Sequence, residues 1–173
     1  MKYKDIILRA PAPGDLDLLL KWENNREIWQ VSDTRVPYTP EEITRHIEES
    51  ANTIYESGQA RFIICLALDS TPVGAIDLFD FDSFHRRTGI GILIAEKSNR
   101  RKGFARMAVE AIIEYCFSRL GVHQLYCNIL ADNQASIALF EGAGFTLSGT
   151  RKDWIRTGDD YKDELFYQLI ATS

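Results

Sequence analysis

Seven strand-like segments interleaved with four helix-like ones predict a mixed α/β (α+β) fold, one sheet with helices on both faces. Three observations carry this. Thr39-Pro40-Glu41-Glu42 has the chemistry of a helix start. Residues 61 to 95 hold three strands in succession. Phe104, Ala108, Ala111, Ile112 and Tyr115 form one apolar face at the 3.6-residue period.

In chain order, Ile6 to Arg9 reads as a short strand, broken by Pro11-Ala12-Pro13-Gly14. Asp15 to Trp22 forms a short helix with a leucine face, and Glu23 to Trp29 can extend it by a turn or two. The next helix takes Thr39 as N-cap, Pro40 at its first position and Glu42 to close a capping box; it runs to about Glu56, before Gly58. Arg61 to Leu68 is a strand, Asp69 to Thr71 a turn, Pro72 to Phe81 the returning strand and Arg87 to Ala95 the third. Gly103 to Arg119 is a long helix, broadened on its apolar side by Val109, Ile113 and Cys116. Gln124 to Leu130 is a strand. Asn133 caps a short helix through Phe140, with Gly144 at its left-handed C′ position and Phe145 as the apolar closure. Phe145 to Arg156 and Asp163 to Ile170 form a last antiparallel pair, joined near Thr157-Gly158-Asp159.

The 173 residues suffice for one domain with a proper core, and no linker or repeat divides them. No apolar run approaches the roughly 20 residues of a membrane span. The start leads into a strand and not a signal peptide. Cys65, Cys116 and Cys127 are odd in number and widely spaced. They read as buried thiols in a reducing cytoplasm, with zinc or a disulfide as the alternative. A net charge of −5 argues against nucleic-acid binding. Positive charge gathers instead at Arg100-Arg101-Lys102, just before Gly103, Phe104 and Ala105. A helix that opens behind such a turn offers unpaired N–H groups and the positive end of its dipole to a small anion, read as a cofactor's diphosphate.

Arg100-Arg101-Lys102-Gly103-Phe104-Ala105 fits Gln/Arg-x-x-Gly-x-Gly/Ala. Downstream, Asn133 to Phe145 fits Asn-x-x-(Ser/Ala)-x-x-Leu-(Tyr/Phe)-x-x-x-Gly-Phe. In these two motifs the chain resembles the GNAT superfamily of acyl-CoA-dependent N-acetyltransferases, over about residues 5–170. Trp22-Glu23-Asn24-Asn25 and Phe84-His85-Arg86-Arg87 are similar to the branch of ribosomal-protein N-terminal and bacterial spermidine/spermine acetyltransferases. The resemblance implies a mostly antiparallel sheet of about seven strands with a splayed central pair. It also implies acetyl-CoA as cosubstrate, no metal, a primary amine as acceptor (polyamine, protein N-terminus or small amine), and a homodimer.

On this resemblance, Arg100 to Ala105 hold the diphosphate. Ile92, Leu93 and Ile94 line the pantetheine arm, with oxyanion donors near Leu93. Gly89 and Gly91 mark a close ligand approach or relieve crowding. Asn133 contacts the cofactor, caps its helix, or does both. Relatives place a carboxylate base on the strand that here reads Thr88-Gly89-Ile90-Gly91, and none is present. Asp77, Asp80, Asp82, His85, Glu23 and Asp33 are the alternatives, together with a water chain that uses no single base. Phe140 stands where relatives carry a tyrosine acid. It is read as packing beside the thiol, with Tyr126 or Tyr161 as substitutes. Acidic and aromatic residues, among them Glu23, Trp29, Asp33 and Tyr161, suit a cationic amine. The rival reading is a degenerate acyl-CoA-binding sensor without turnover. A nucleotide-binding domain is disfavoured, because neither Gly-x-x-x-x-Gly-Lys-Ser/Thr nor Gly-x-Gly-x-x-Gly occurs.

Overall fold

The computed structural model describes residues 1–25 and 36–172. Trp29 and Asp33 lie outside the described residues. Eight strands form one sheet: β1 (Lys2–Tyr3), β2 (Ile6–Arg9), β3 (Ala60–Leu66), β4 (Pro72–Asp82), β5 (Arg87–Ile94), β6 (Gln124–Leu130), β7 (Thr146–Thr157) and β8 (Asp160–Ile170). Their order is β1-β2-β3-β4-β5-β6-β8-β7. The seven expected strands are all present, and β1 adds an eighth beside β2. Every neighbouring pair is antiparallel except β5 and β6.

Among the described residues the α-helices are α1 (Leu16–Glu23), α2 (Pro40–Glu49), α3 (Ile54–Ser57), α4 (Phe104–Tyr115) and α5 (Gln134–Gly142). The start of α1 is pinned by Asp15, whose carboxylate takes two 2.7 Å bonds from Arg9 and a third from the Ala12 N–H. The Arg9 guanidinium holds the Asp15 carboxyl below its usual range. At the other end of α1, the Asn24 amide accepts from the Tyr38 N–H at 2.7 Å and donates to the Tyr38 carbonyl at 3.0 Å. Asn24 thus fastens the chain at 24 to the chain at 38.

The capping box of α2 forms as expected: Thr39 Oγ1 accepts from the Glu42 N–H, and Glu42 accepts from the Thr39 N–H. The helix does not reach Glu56. It stops at Glu49, and α3 begins afresh from a second capping box, in which Glu56 accepts from the Thr53 N–H and hydroxyl. Thr53-x-x-Glu56 competes successfully with continuation because it supplies partners to amides a new helix start leaves open.

Two cores flank the sheet. On one face Leu19, Trp22, Ile43 and Ile47 of α1 and α2 bury against Ile63, Cys65, Ala75 and Ala95. Trp22 is therefore core. On the other face Ala108, Val109, Ala111 and Ile112 of α4 pack on Ile64, Ile76, Leu78, Ile90 and Leu125, joined by Phe140 and Phe145. All three cysteines are free and buried, and burial pushes the Cys116 and Cys127 thiols up to about 12.

Candidate active site

The parallel pair β5–β6 is joined at three positions only: Arg87 with Gln124, Thr88 with Leu125 and Gly89 with Tyr126. Beyond them β5 stays paired to β4 as far as Ile94, and β6 stays paired to β8 as far as Leu130. The sheet therefore splits at Gly89 and Tyr126. Successive peptide groups of a strand point to opposite edges. The Ala95 N–H bonds the Val73 carbonyl on the β4 side. The peptide groups of Ile92 and Ile94 consequently face the split. Leu93, expected as a third contact and near the oxyanion, turns the other way: its carbonyl lies 2.1 Å from where a Cβ on Gly74 of β4 would stand.

After Ile94 the chain makes a short turn at Lys97–Asn99 and swings back. Arg101 and Gly103 both take left-handed conformations, φ 60° and 85°. Gly103 is required by that angle and not by crowding, for a Cβ there would meet nothing within 4 Å. Gly103 is the N-cap of α4 and brings no side chain to cap the helix start. The first intrahelical acceptor serves Met107, whose N–H bonds the Gly103 carbonyl. The amides ahead of it, from Phe104 to Arg106, open onto the exposed turn of Arg100, Arg101 and Lys102. The Arg100 Nε donates to the Ile94 carbonyl at 3.2 Å, tying this turn to the open edge of β5. An uncapped helix start beside an unpaired strand edge fits a ligand with a diphosphate and an amide-bearing arm.

On the α4 side, Asn133 caps α5 by accepting from the Ser136 N–H at 3.2 Å. Phe140 is buried edge-on against Phe145, with ring centroids 5.1 Å apart. The Phe145 N–H closes back on the Phe140 carbonyl, and the chain turns left-handed at Gly144 as expected.

On the α1 side, residues in register share a face, so Phe79, Gly89 and Tyr126 stand together. The β4–β5 register shifts between Phe79 and Asp82, and Asp80 sits at φ 50°. This bulge turns Asp80 to the same side as Phe79, where it accepts from the Tyr126 hydroxyl at 3.3 Å. Burial first, and then Asp80, push the Tyr126 phenol up to about 12. Asp77 receives two bonds from Arg61, at 2.6 and 3.0 Å, and the same guanidinium bonds Glu23 at 2.6 Å. The sequence contains nothing that marks Arg61 as the link between these two candidate carboxylates.

Among the described residues, His85 and Tyr161 are not gathered at the split. His85 lies exposed in the β4–β5 turn, edge-on to Phe84 at 4.9 Å. Asp82 serves that turn, accepting from the His85 N–H. Tyr161 is exposed near the tip of the β7–β8 hairpin, opposite Arg156 and beyond the stretch of β8 that pairs with β6.

The acetyltransferase (GNAT) domain family matches residues 5–146. The chain belongs to this family. Its GNAT relatives include the spermidine N(1)-acetyltransferase of Vibrio cholerae, 29% identical over 145 residues that cover 83% of this chain and 80% of that one. A probable N-acetyltransferase of Bacillus subtilis, YjcK, is 25% identical and covers 99% of this chain and 95% of its own. Among solved GNAT structures, the spermidine N-acetyltransferase from Vibrio cholerae in complex with CoA and spermine superposes with a TM-score of 0.86. It covers 96% of this chain and 95% of that one; at 24% identity this is a likeness of fold.

Proposed function

We propose that the protein transfers an acetyl group from acetyl-CoA to a primary amine by direct attack in a ternary complex. The observation that carries this reading is the split between β5 and β6, which opens beside the uncapped start of α4. In this reading Arg100 to Ala105 hold the diphosphate, and the peptide groups of Ile92 and Ile94 bond the pantetheine arm as a neighbouring strand would. Asn133 keeps its capping role. Phe140 packs near the thiol and donates no proton; a thiol of pKa about 8.5 leaves tolerably without an acid. Spermidine is the first acceptor to assay, because the relative in Vibrio cholerae is a spermidine N(1)-acetyltransferase. We place the reaction in the cytoplasm, where free thiols persist; among the described residues no helix is long and apolar enough to cross a membrane.

Gly103→Glu tests the diphosphate assignment. It sets a carboxylate beside the proposed anion site. Calorimetry is expected to show acetyl-CoA binding weakened at least about tenfold with the fold retained; unchanged affinity removes the loop from the site. CoA release in the presence of amines tests turnover. Tight acetyl-CoA binding with no release on any amine establishes the rival reading, a sensor without catalysis.

A further inference from the structure

The Ile94 carbonyl already has a partner. The Ala95 N–H bonds the Val73 carbonyl on the β4 side, so the Ile94 carbonyl, on the other side of the same peptide, faces the split. The β5–β6 pairing ends at Gly89 with Tyr126, well short of it. The Nε of Arg100 takes the place a neighbouring strand would take, at 3.2 Å. One residue of the diphosphate loop therefore occupies a group that the pantetheine arm needs.

Arg100 is built to change partners. It follows the short Lys97–Asn99 turn in an extended conformation, φ −73° and ψ 157°, and lies exposed. Its own N–H bonds the Lys97 carbonyl at 3.2 Å and holds the backbone, so side-chain rotation alone can re-aim the guanidinium. Next along the chain Arg101 turns left-handed and Gly103 opens α4, so the open amides of the helix follow directly. A guanidinium on a neutral carbonyl at the surface is held weakly, by about twofold to tenfold in an equilibrium. A phosphate offers it full charge and paired oxygens that match its fork.

We propose that Arg100 is a positioning residue with two stations: in the free protein it covers the Ile94 carbonyl, and on cofactor binding it transfers to the diphosphate and yields that carbonyl to an amide N–H of the pantetheine arm. The inference rests on the transferase reading above and couples the two ends of the cofactor. A diphosphate at the start of α4 draws the competitor off the strand edge, and the arm is then laid on an edge that is bare. A molecule with the arm but no phosphates meets the edge still covered and must displace Arg100 itself. The device favours acyl-CoA over acylated pantetheine by more than the phosphate contacts alone would give.

The test separates the cofactor into its halves. S-acetylpantetheine carries the arm without the diphosphate, and 3′-phosphoadenosine 5′-diphosphate carries the phosphates without the arm. Each is titrated into the wild-type protein and into Arg100→Ala, with binding read from backbone amide NMR signals. Arg100 is exposed in a turn, so the variant is expected to fold. It is expected to bind 3′-phosphoadenosine 5′-diphosphate about tenfold more weakly than wild type and S-acetylpantetheine about threefold more tightly. Opposite signs are the signature of a residue that serves one half and obstructs the other. An unchanged or weaker affinity for S-acetylpantetheine overturns the proposal, because the guanidinium then holds phosphate without contesting the carbonyl, or bridges both. Saturating 3′-phosphoadenosine 5′-diphosphate is also expected to favour S-acetylpantetheine binding about threefold more in wild type than in Arg100→Ala; equal coupling in the two proteins overturns it. If acetyl-CoA itself binds neither protein, or binds without moving the Ile92 and Ile94 signals, the transferase reading fails and the proposal with it, a result distinct from any pattern of fragment affinities.

Discussion

A Cβ on Gly89 would come within 2.2 Å of the Phe79 ring, a contact tight enough to be read by stability. Gly89→Ala forces the ring aside and is expected to cost about 1–3 kcal/mol by denaturant unfolding. In a Phe79→Ala background most of that cost should vanish, so the two substitutions are expected to be strongly non-additive. Asp15 makes a pH-dependent contribution. Its folded carboxyl is more acidic than the ordinary value, so its stabilisation is full above an unfolded pKa of about 3.9 and is lost as pH falls through the lower folded value. Asp15→Asn is expected to cost about 2 kcal/mol at pH 7. The gap from wild type should close in acid; a gap that persists at the acid end counts against the Arg9–Asp15 account. The thiols of Cys116 and Cys127, raised to about 12 by burial, are expected to resist a thiol reagent in the native protein and to react at once in denaturant.

Among the elements, those with local chemistry were the legible ones. Thr39 with Glu42, the apolar face of α4 and the Gly144-Phe145 stop are each specified by residues within a turn of one another. The break between α2 and α3 is equally local, but Thr53-x-x-Glu56 lies inside a longer helical pattern that hides it. What could not be read were features that depend on register. The opposition of Phe79 to Gly89 follows from strand pairing, and the turn of Asp80 toward Tyr126 follows from a bulge that strict alternation would place on the other face. The loop motif marked the end of β5 correctly, yet only the alternation of peptide groups separates Ile92 and Ile94 from Leu93. That separation is measurable. Amide hydrogen exchange at Ile92 and Ile94 is expected to be fast in the free protein and to slow on CoA binding, while Leu93 stays protected throughout. Equal protection at all three positions would mean that β5 does not border an open edge.

At the scale of the whole molecule, the sheet is two blocks, β1 to β5 and β6 with β8 and β7, and α4 spans the connection between them. Local patterning announced both blocks. It did not announce how little backbone pairing joins them, because that number depends on how far two distant strands run side by side. Three residue pairs are a narrow seam for a sheet of this breadth. A pantetheine arm laid along Ile92 and Ile94 would act as mortar in that seam, contributing to folding stability in proportion to RT ln(1 + [L]/Kd). Each round of turnover would then leave the seam bare until the next molecule of CoA arrives. In a mixture with a nonspecific protease, the lifetime of this protein should consequently rise and fall with the supply of its own cosubstrate.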